Sequence, residues 1–168
     1  MNDVKARLTQ DHQELDALLR CLSEDVAAPE CDAPLQSTWC QFETRLLCHM
    51  DAEERYLLPL IEASHPAEAA RTLQEHQSIR QIVSELGVAI ELHTARQPAM
   101  DALVKLLHDH AQREDSILYE LSGERTSTVV QHRVAHMLRS ALHQALKATM
   151  GTTVSHAAQT GTEQRARP

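Results

Sequence analysis

Two stretches of this chain share one pattern: His49–Leu60 reads HMDAEERYLLPL, and His110–Leu121 reads HAQREDSILYEL. Each has a histidine, a glutamate four residues later, a second acidic residue directly after it, and then an apolar run. Residues four apart lie on one face of a helix, so each stretch places an imidazole beside a carboxylate. One such pair is weak evidence, because about one is expected by chance in a chain with this many histidines and glutamates. The informative feature is the repetition.

The repeat also includes the helices that precede these two stretches. Residues 10–15 read QDHQEL and residues 74–79 read QEHQSI, so His12 and His76 occupy matching positions. The duplicated unit is therefore a helical hairpin. Two such hairpins make a four-helix bundle.

The composition supports an all-helical fold. The 168 residues include four glycines, six prolines and only four aromatic residues, which is rich in helix formers and poor in strand formers. We predict an all-α protein: an antiparallel up-down-up-down four-helix bundle over residues 1–123, a fifth amphipathic helix over residues 124–150, and a polar, disordered tail over residues 151–168. Pro59 is expected to kink the second helix, and Gly151 to end the fifth.

The repeated histidines and glutamates lie on the apolar stripes of their helices. The residues that are predicted to point into the core are His12, His49, Glu53, His76, His110 and Glu114. At a rise of about 1.5 Å per residue, their levels in the bundle agree within about two helical turns. Buried polar groups must satisfy one another or bind a ligand. This set predicts a metal site; the alternative is a core whose imidazoles and carboxylates satisfy only each other.

The internal symmetry predicts two metals, each with two imidazoles. Glu53 and Glu114 are then placed to bridge the metals and to offset their mutual repulsion. Nitrogen and oxygen donors without a thiolate suit iron, and manganese or zinc is also compatible. Four protein donors per metal leave positions open for a small ligand such as dioxygen, hydroxide or an anion.

The order of these six residues resembles the hemerythrin-like, or HHE cation-binding, domain over roughly residues 3–122. The resemblance implies a bundle that holds a non-haem, oxo- or hydroxo-bridged di-iron centre with the six residues as ligands. Oxygen-carrying members have a fifth histidine one turn after the ligand of the third helix, and that position is Arg80 here. A guanidinium does not ligate metal. We expect Arg80 to pair with Asp16 across the bundle; the alternative for Asp16 is an additional ligand.

Several residues near the six predicted ligands are expected to support the site or the packing of the bundle. Tyr56 and Tyr119 are predicted to pack at the end of the bundle; the alternative is that they donate hydrogen bonds to the ligands or carry a radical. Glu54 and Asp115, which directly follow the two glutamates of the repeat, are predicted to orient ligand imidazoles or to face water. The four cysteines are predicted to be reduced thiols, with a redox switch as the alternative: Cys21, Cys31, Cys40 and Cys48.

Charge and hydropathy narrow the function classes. A net charge of −8 argues against a nucleic-acid or anionic-membrane partner. No apolar run is long enough to cross a bilayer and the first residues lack a signal-peptide pattern, so we expect a cytoplasmic protein.

Three functions fit this reading. The first is a di-iron sensor or regulator of oxygen, redox state or iron supply. The second is a di-iron oxidoreductase that acts on peroxide, dioxygen or nitric oxide. The third is an interaction module with structural metals, which forms a homodimer or binds a protein partner through the fifth helix.

Overall fold

The computed structural model describes residues 4–27, 32–123 and 125–163, with side chains for all of these except residues 32–34 and 148–163. All regular structure in this part of the chain is helical, and it contains no strand. The helices are α1 (Val4–Ala27), α2 (Asp32–Tyr56), α3 (Leu58–Ile61), α4 (Pro66–Glu91), α5 (Gln97–Arg113), α6 (Tyr119–Gly123) and α7 (Thr128–Glu163). The prediction of an all-α protein is confirmed.

Four long helices form a ring of contacts. The helix α1 lies against α2 and α5, and α4 lies against the same two helices. The core therefore lies between the two halves of the sequence repeat. The alternating direction of the helices stays a prediction.

Proline decides where α2 ends. The amide of Leu57 still bonds the carbonyl of Glu53 at 2.9 Å, but Pro59 has no amide hydrogen to continue the pattern. The helix is interrupted at Leu57 and resumes as the single helical turn α3. The sequence predicts a kink at Pro59, and the structure shows an interruption of the helix just before it.

A π-helical segment, Glu114–Leu118, connects α5 to α6. Here the amide of Tyr119 bonds the carbonyl of Glu114, five residues earlier. Such a turn holds one more residue than an α-helical turn, so it shifts the faces of all residues that follow it. The segment begins at one of the predicted metal ligands, and its effect on Tyr119 is described below.

The fifth helix, α7, packs mainly on α2 and also contacts α1. Its apolar face includes Val134, which is fully buried, and Met137, which packs against the same core. The helical backbone continues to Glu163, past Gly151, where the sequence predicted its end and a disordered tail. A glycine ends a helix when it adopts a left-handed conformation, and no glycine in the described ranges has a positive φ. Residues 164–168 of the predicted tail lie outside the described residues.

Two apolar clusters make up the core. The first includes Leu15, Leu19, Phe42, Leu46, Ile79 and Leu103. The second includes Leu8, Leu57, Ile61, Leu118, Tyr119 and Val134. The predicted ligand His12 lies between Leu8 and Leu15 on α1, so a polar layer separates the two clusters.

Three cysteines lie in the described ranges, and all three are free thiols. Cys21 and Cys40 are exposed, while Cys48 is half-buried with its sulfur 3.4 Å from the carbonyl oxygen of Met137. Cys31 lies outside the described residues. No helix within the described ranges has both the length and the hydropathy to cross a bilayer.

Close contact between α2 and α4 depends on Gly87, because a Cβ atom there would lie 3.0 Å from Nε1 of Trp39. We expect Gly87→Val to lower the free energy of unfolding by about 1–3 kcal/mol through overpacking. Gly123→Val is the matched control, because a Cβ at Gly123 meets no atom within 4 Å. Urea unfolding measures both variants, and equal losses at the two positions would contradict the packing argument.

Candidate metal centre

The six predicted residues lie together in the core. They form two groups of four, and both groups contain Glu53 and Glu114. His12 and His49 complete the first group; His76 and His110 complete the second. Within each group one ligand atom per residue lies within 4.8 Å of the others. All are buried except His12, which is partly exposed.

The two carboxylates lie between the histidine pairs. Glu53 has one oxygen 3.3 Å from Nε2 of His49 and the other 3.4 Å from Nε2 of His76. Glu114 has Oε1 3.2 Å from Nε2 of both His76 and His110, and Oε2 3.4 Å from Nε2 of His12. Each glutamate thus faces imidazoles of both groups, which is the placement that a bridging carboxylate needs.

The hydrogen bonds within the cluster leave several atoms unpaired. Oε2 of Glu53, Oε2 of Glu114 and Nε2 of His110 are buried and have no hydrogen-bond partner in the structure. Leaving a buried polar atom unpaired costs about 1–3 kcal/mol, and more if the group is charged. The unpaired atoms point to the shared space of the two groups, so the residues fit metal cations that would bind these atoms directly.

The electrostatics of the cluster favour positive charge beside the glutamates. Burial by itself lowers the pKa of His76, but hydrogen bonds and charge interactions with Glu114 and Glu53 outweigh this effect and raise the pKa to about 10. Burial raises the pKa of Glu53, yet the neighbouring His49 and His76 hold it well below its usual range. Either protons or metal cations can supply the charge that these carboxylates attract.

Three of the four imidazoles are hydrogen-bonded at Nδ1 to a second carboxylate. Nδ1 of His49 lies 2.9 Å from Asp11, Nδ1 of His76 lies 2.8 Å from Glu54, and Nδ1 of His110 lies 3.0 Å from Glu75. Nδ1 of His12 has no hydrogen-bond partner and lies 3.6 Å from the fourth outer carboxylate, Asp115. Such outer carboxylates fix the ring and direct Nε2 towards a metal. The prediction that Glu54 orients an imidazole is confirmed, whereas Asp115 lies near His12 without a hydrogen bond to it.

The other two outer carboxylates, Asp11 and Glu75, were not predicted from the sequence. Asp11 directly precedes His12 and Glu75 directly precedes His76, so the acid is a matched feature of the repeat. This match could have revealed them. Each supports a histidine of a neighbouring helix rather than the adjacent one, which only the packing shows.

Arginine side chains bind three of the four outer carboxylates. Arg45 donates to Asp11 at 2.7 Å, Arg80 donates to Glu54 at 2.7 Å, and Arg113 donates to Glu75. These charge-assisted bonds hold the carboxylates in place. Three concentric shells, of inner donors, outer carboxylates and arginines, thus surround most of the cluster.

The expected pairing of Arg80 with Asp16 is wrong. Arg80 bonds Glu54 and also Asp51, at 3.0 Å, both on α2. Asp16 pairs instead with Arg20, one turn along its own helix, at 3.3 Å, and belongs to neither group of potential ligands. The physical reason is that the Arg80 side chain faces α2, where it meets Asp51 and Glu54.

Tyr119 both packs in the apolar core and contacts the ligand cluster. Its ring lies in the second apolar cluster, in line with the predicted packing role. Its hydroxyl donates to Oε1 of Glu53 at 2.5 Å, and lies 3.3 Å from Nε2 of His12 and 3.4 Å from Nε2 of His49, which is the alternative role as a hydrogen-bond donor. The extra residue of the π-helical turn sets the amide of Tyr119 against the carbonyl of Glu114, a placement that α-helical periodicity does not predict.

A cavity of about 490 Å³ reaches the cluster between α1, α2 and α5. His12, His49 and His110 lie at its polar end, while His76 does not line it. The first group of potential ligands, which also contacts Tyr119, is therefore the more accessible of the two.

Three other histidines, on α5 and α7, do not join the cluster. His132 and His136 are exposed on α7, and His108 is exposed on α5. None of them belongs to a group of potential metal ligands in the described part of the chain.

Removal of the Tyr119 hydroxyl tests its contribution. Tyr119→Phe keeps the ring but leaves Oε1 of Glu53 without its donor, so we expect a loss of about 1–3 kcal/mol in the free energy of unfolding of chelator-treated protein. Tyr56→Phe is the control, because Tyr56 packs against the same apolar cluster outside the ligand groups. Urea unfolding followed by circular dichroism measures both, and a Tyr119 variant as stable as its control would contradict this role.

Comparison with known families gives an independent result. The model of the hemerythrin HHE cation-binding domain matches residues 3–122, which includes all six residues of the two groups. No curated protein and no solved structure matches the chain. The match covers well over half of the sequence, so this chain belongs to the hemerythrin HHE cation-binding family.

Proposed function

We propose that the protein is a non-haem di-iron protein that acts in oxygen, redox or iron sensing. Residues 1–123 form the metal-binding bundle, with the alternating helix directions that are predicted from the repeat. His12 and His49 would hold one iron and His76 and His110 the other, and Glu53 and Glu114 would serve both. The observation that carries this proposal is the pair of buried glutamates, each shared by both histidine groups.

Iron fits the donor set. Imidazole and carboxylate ligands without thiolate are typical of non-haem iron, and manganese or zinc binds similar donors. When bound, two irons supply redox chemistry and open coordination positions for dioxygen or another oxidant. The residues of the chain hold the metals, orient the imidazoles and place the Tyr119 hydroxyl beside the first group.

Sensing follows from the coupling of metal content to stability. The buried carboxylate oxygens without partners penalise the fold unless a cation satisfies them. A change in metal occupancy therefore changes the stability of the bundle. Because α7 packs on α2, the helix that carries His49 and Glu53, a change in the bundle reaches the fifth helix directly. We propose that a cytoplasmic partner or a second copy binds through the fifth helix and detects this change.

Elemental analysis tests the assignment of the metals. We expect two irons per chain, one for each group of ligands. His76→Ala should weaken metal binding by more than about tenfold, because it removes an inner donor that faces both glutamates. His108→Ala changes an exposed histidine of α5 and should leave the metal content unchanged. Equal metal content in the two variants would contradict the proposed ligands.

Removal of the metals tests the coupling to stability. We expect chelation to lower the melting temperature by roughly 10 °C, since a ligand at a thousand times its Kd stabilises by about 4 kcal/mol. Scanning calorimetry of loaded and chelated protein measures the difference. Identical melting temperatures would exclude sensing through the stability of the bundle.

The cavity supports oxidoreductase activity as a second candidate, because it gives a ligand access to His12 and His49. Such an enzyme would reduce peroxide, dioxygen or nitric oxide. Stopped-flow mixing of the reduced protein with each oxidant discriminates the two functions. Repeated turnover supports an enzyme, and a single slow oxidation supports a sensor.

A further inference from the structure

The cavity beside the cluster has two chemically different ends. Three imidazoles, those of His12, His49 and His110, lie at one end. Six large apolar side chains from three helices also line it: Leu15, Leu19, Phe42, Leu46, Val104 and Leu107. The remaining lining residues are Ala111 and six polar ones: Gln13, Asp16, His108, Gln112, Asp115 and Ser116. A ligand that fills this space needs one polar head and an apolar body.

The size of the cavity exceeds what a diatomic or inorganic ligand requires. Its volume of about 490 Å³ falls within the usual range for small-molecule pockets, roughly 300–1,000 Å³. A single water molecule accounts for only about 30 Å³ of liquid. From His12 to Leu19, the wall on α1 is about 10 Å long at the rise of an α-helix. An unbranched chain of several carbons can lie along it.

The donor chemistry of the site favours a carboxylate head. Iron accepts carboxylate oxygens, and four protein donors per metal would leave coordination positions open. Three of the four outer carboxylates pair with an arginine, and each of these arginines also pairs with a second carboxylate: Glu14, Asp51 or Glu68. Asp16 pairs with Arg20, and Asp115 accepts a hydrogen bond from Thr9. A carboxylate head would therefore bind through direct coordination to the metals and not through an excess of positive charge around the centre.

We propose that the cavity binds a medium-chain monocarboxylate. The carboxylate lies at the centre beside His12 and His49, and the alkyl chain runs between α1, α2 and α5 along Leu15 and Leu19. The inference rests on the proposed metal centre and names the class of ligand that reaches it. Such a ligand would buffer the charge of the centre and add apolar contacts to the core.

Calorimetric titration of the iron-loaded protein with straight-chain carboxylates, from acetate to octanoate, tests the proposal. We expect the affinity to rise about three- to fourfold with each added methylene, because each one is transferred from water to an apolar wall. Octan-1-ol, which has the same chain without the charge, should bind at least tenfold more weakly than octanoate. An affinity that is independent of chain length, or an alcohol that binds as well as the acid, would overturn the proposal.

A substitution in the wall of the cavity tests ligand binding without removing a metal ligand. Val104→Phe should fill part of the cavity and weaken octanoate binding more than tenfold while iron content stays at the wild-type value. Ile82→Phe is the matched control, because Ile82 is also partly buried against the core but does not line the cavity. Ala111→Phe, from another part of the wall, guards against a Val104 variant that fails to fold. Unchanged octanoate binding in a folded Val104→Phe or Ala111→Phe protein would overturn the proposal.

Metal content distinguishes the failure of this inference from failure of the proposed function. A protein that binds no metal overturns both. A protein that binds two irons but shows no preference for octanoate over acetate overturns the ligand alone. Octanoate that binds equally well to chelated protein would show that the head does not lie at the centre, and would also overturn the proposal.

Discussion

The fold is organised around two glutamates buried in an otherwise apolar core. Glu53 and Glu114 are fully buried, and each faces imidazoles from both halves of the repeat. Burial of an ionised carboxylate is costly unless cations or hydrogen bonds compensate its charge. The four histidines, their outer carboxylates and the arginines behind them are arranged around this requirement. The same two residues also separate the apolar clusters that stabilise the bundle on either side.

The outer carboxylates explain how the imidazoles keep the orientation that metal ligands need. A buried histidine with a free Nδ1 could rotate or hydrogen-bond elsewhere, whereas an Nδ1 bonded to a carboxylate keeps Nε2 directed inward. Each of these carboxylates supports an imidazole on a different helix. Asp11 of α1 supports His49 of α2, and Glu75 of α4 supports His110 of α5. The site is therefore a product of helix packing, and a change in packing alters the direction of its donors.

The two halves of the repeat are not equivalent in the folded protein. Tyr119 and the cavity both lie beside the group that contains His12 and His49. The group that contains His76 is the less accessible one, since His76 is fully buried and does not line the cavity, and only His110 of its two histidines does. Near-symmetry in sequence thus yields two groups that differ in access from the cavity.

The all-helical fold, the irregularity near Pro59 and the grouping of the six residues of the candidate centre could all be predicted from the sequence. Periodicity and repetition are local properties, because the spacing of four and the apolar stripes state which residues share a helix face. Four things were decided only by the tertiary structure: the partner of Arg80, the helices that Asp11 and Glu75 support, the place of Tyr119 and the face that α7 covers. Each depends on how one helix is rotated and placed against another. The π-helical turn after Glu114 is the clearest case, because a single additional residue in one turn redirects Tyr119, and the apolar pattern of the sequence does not record that shift.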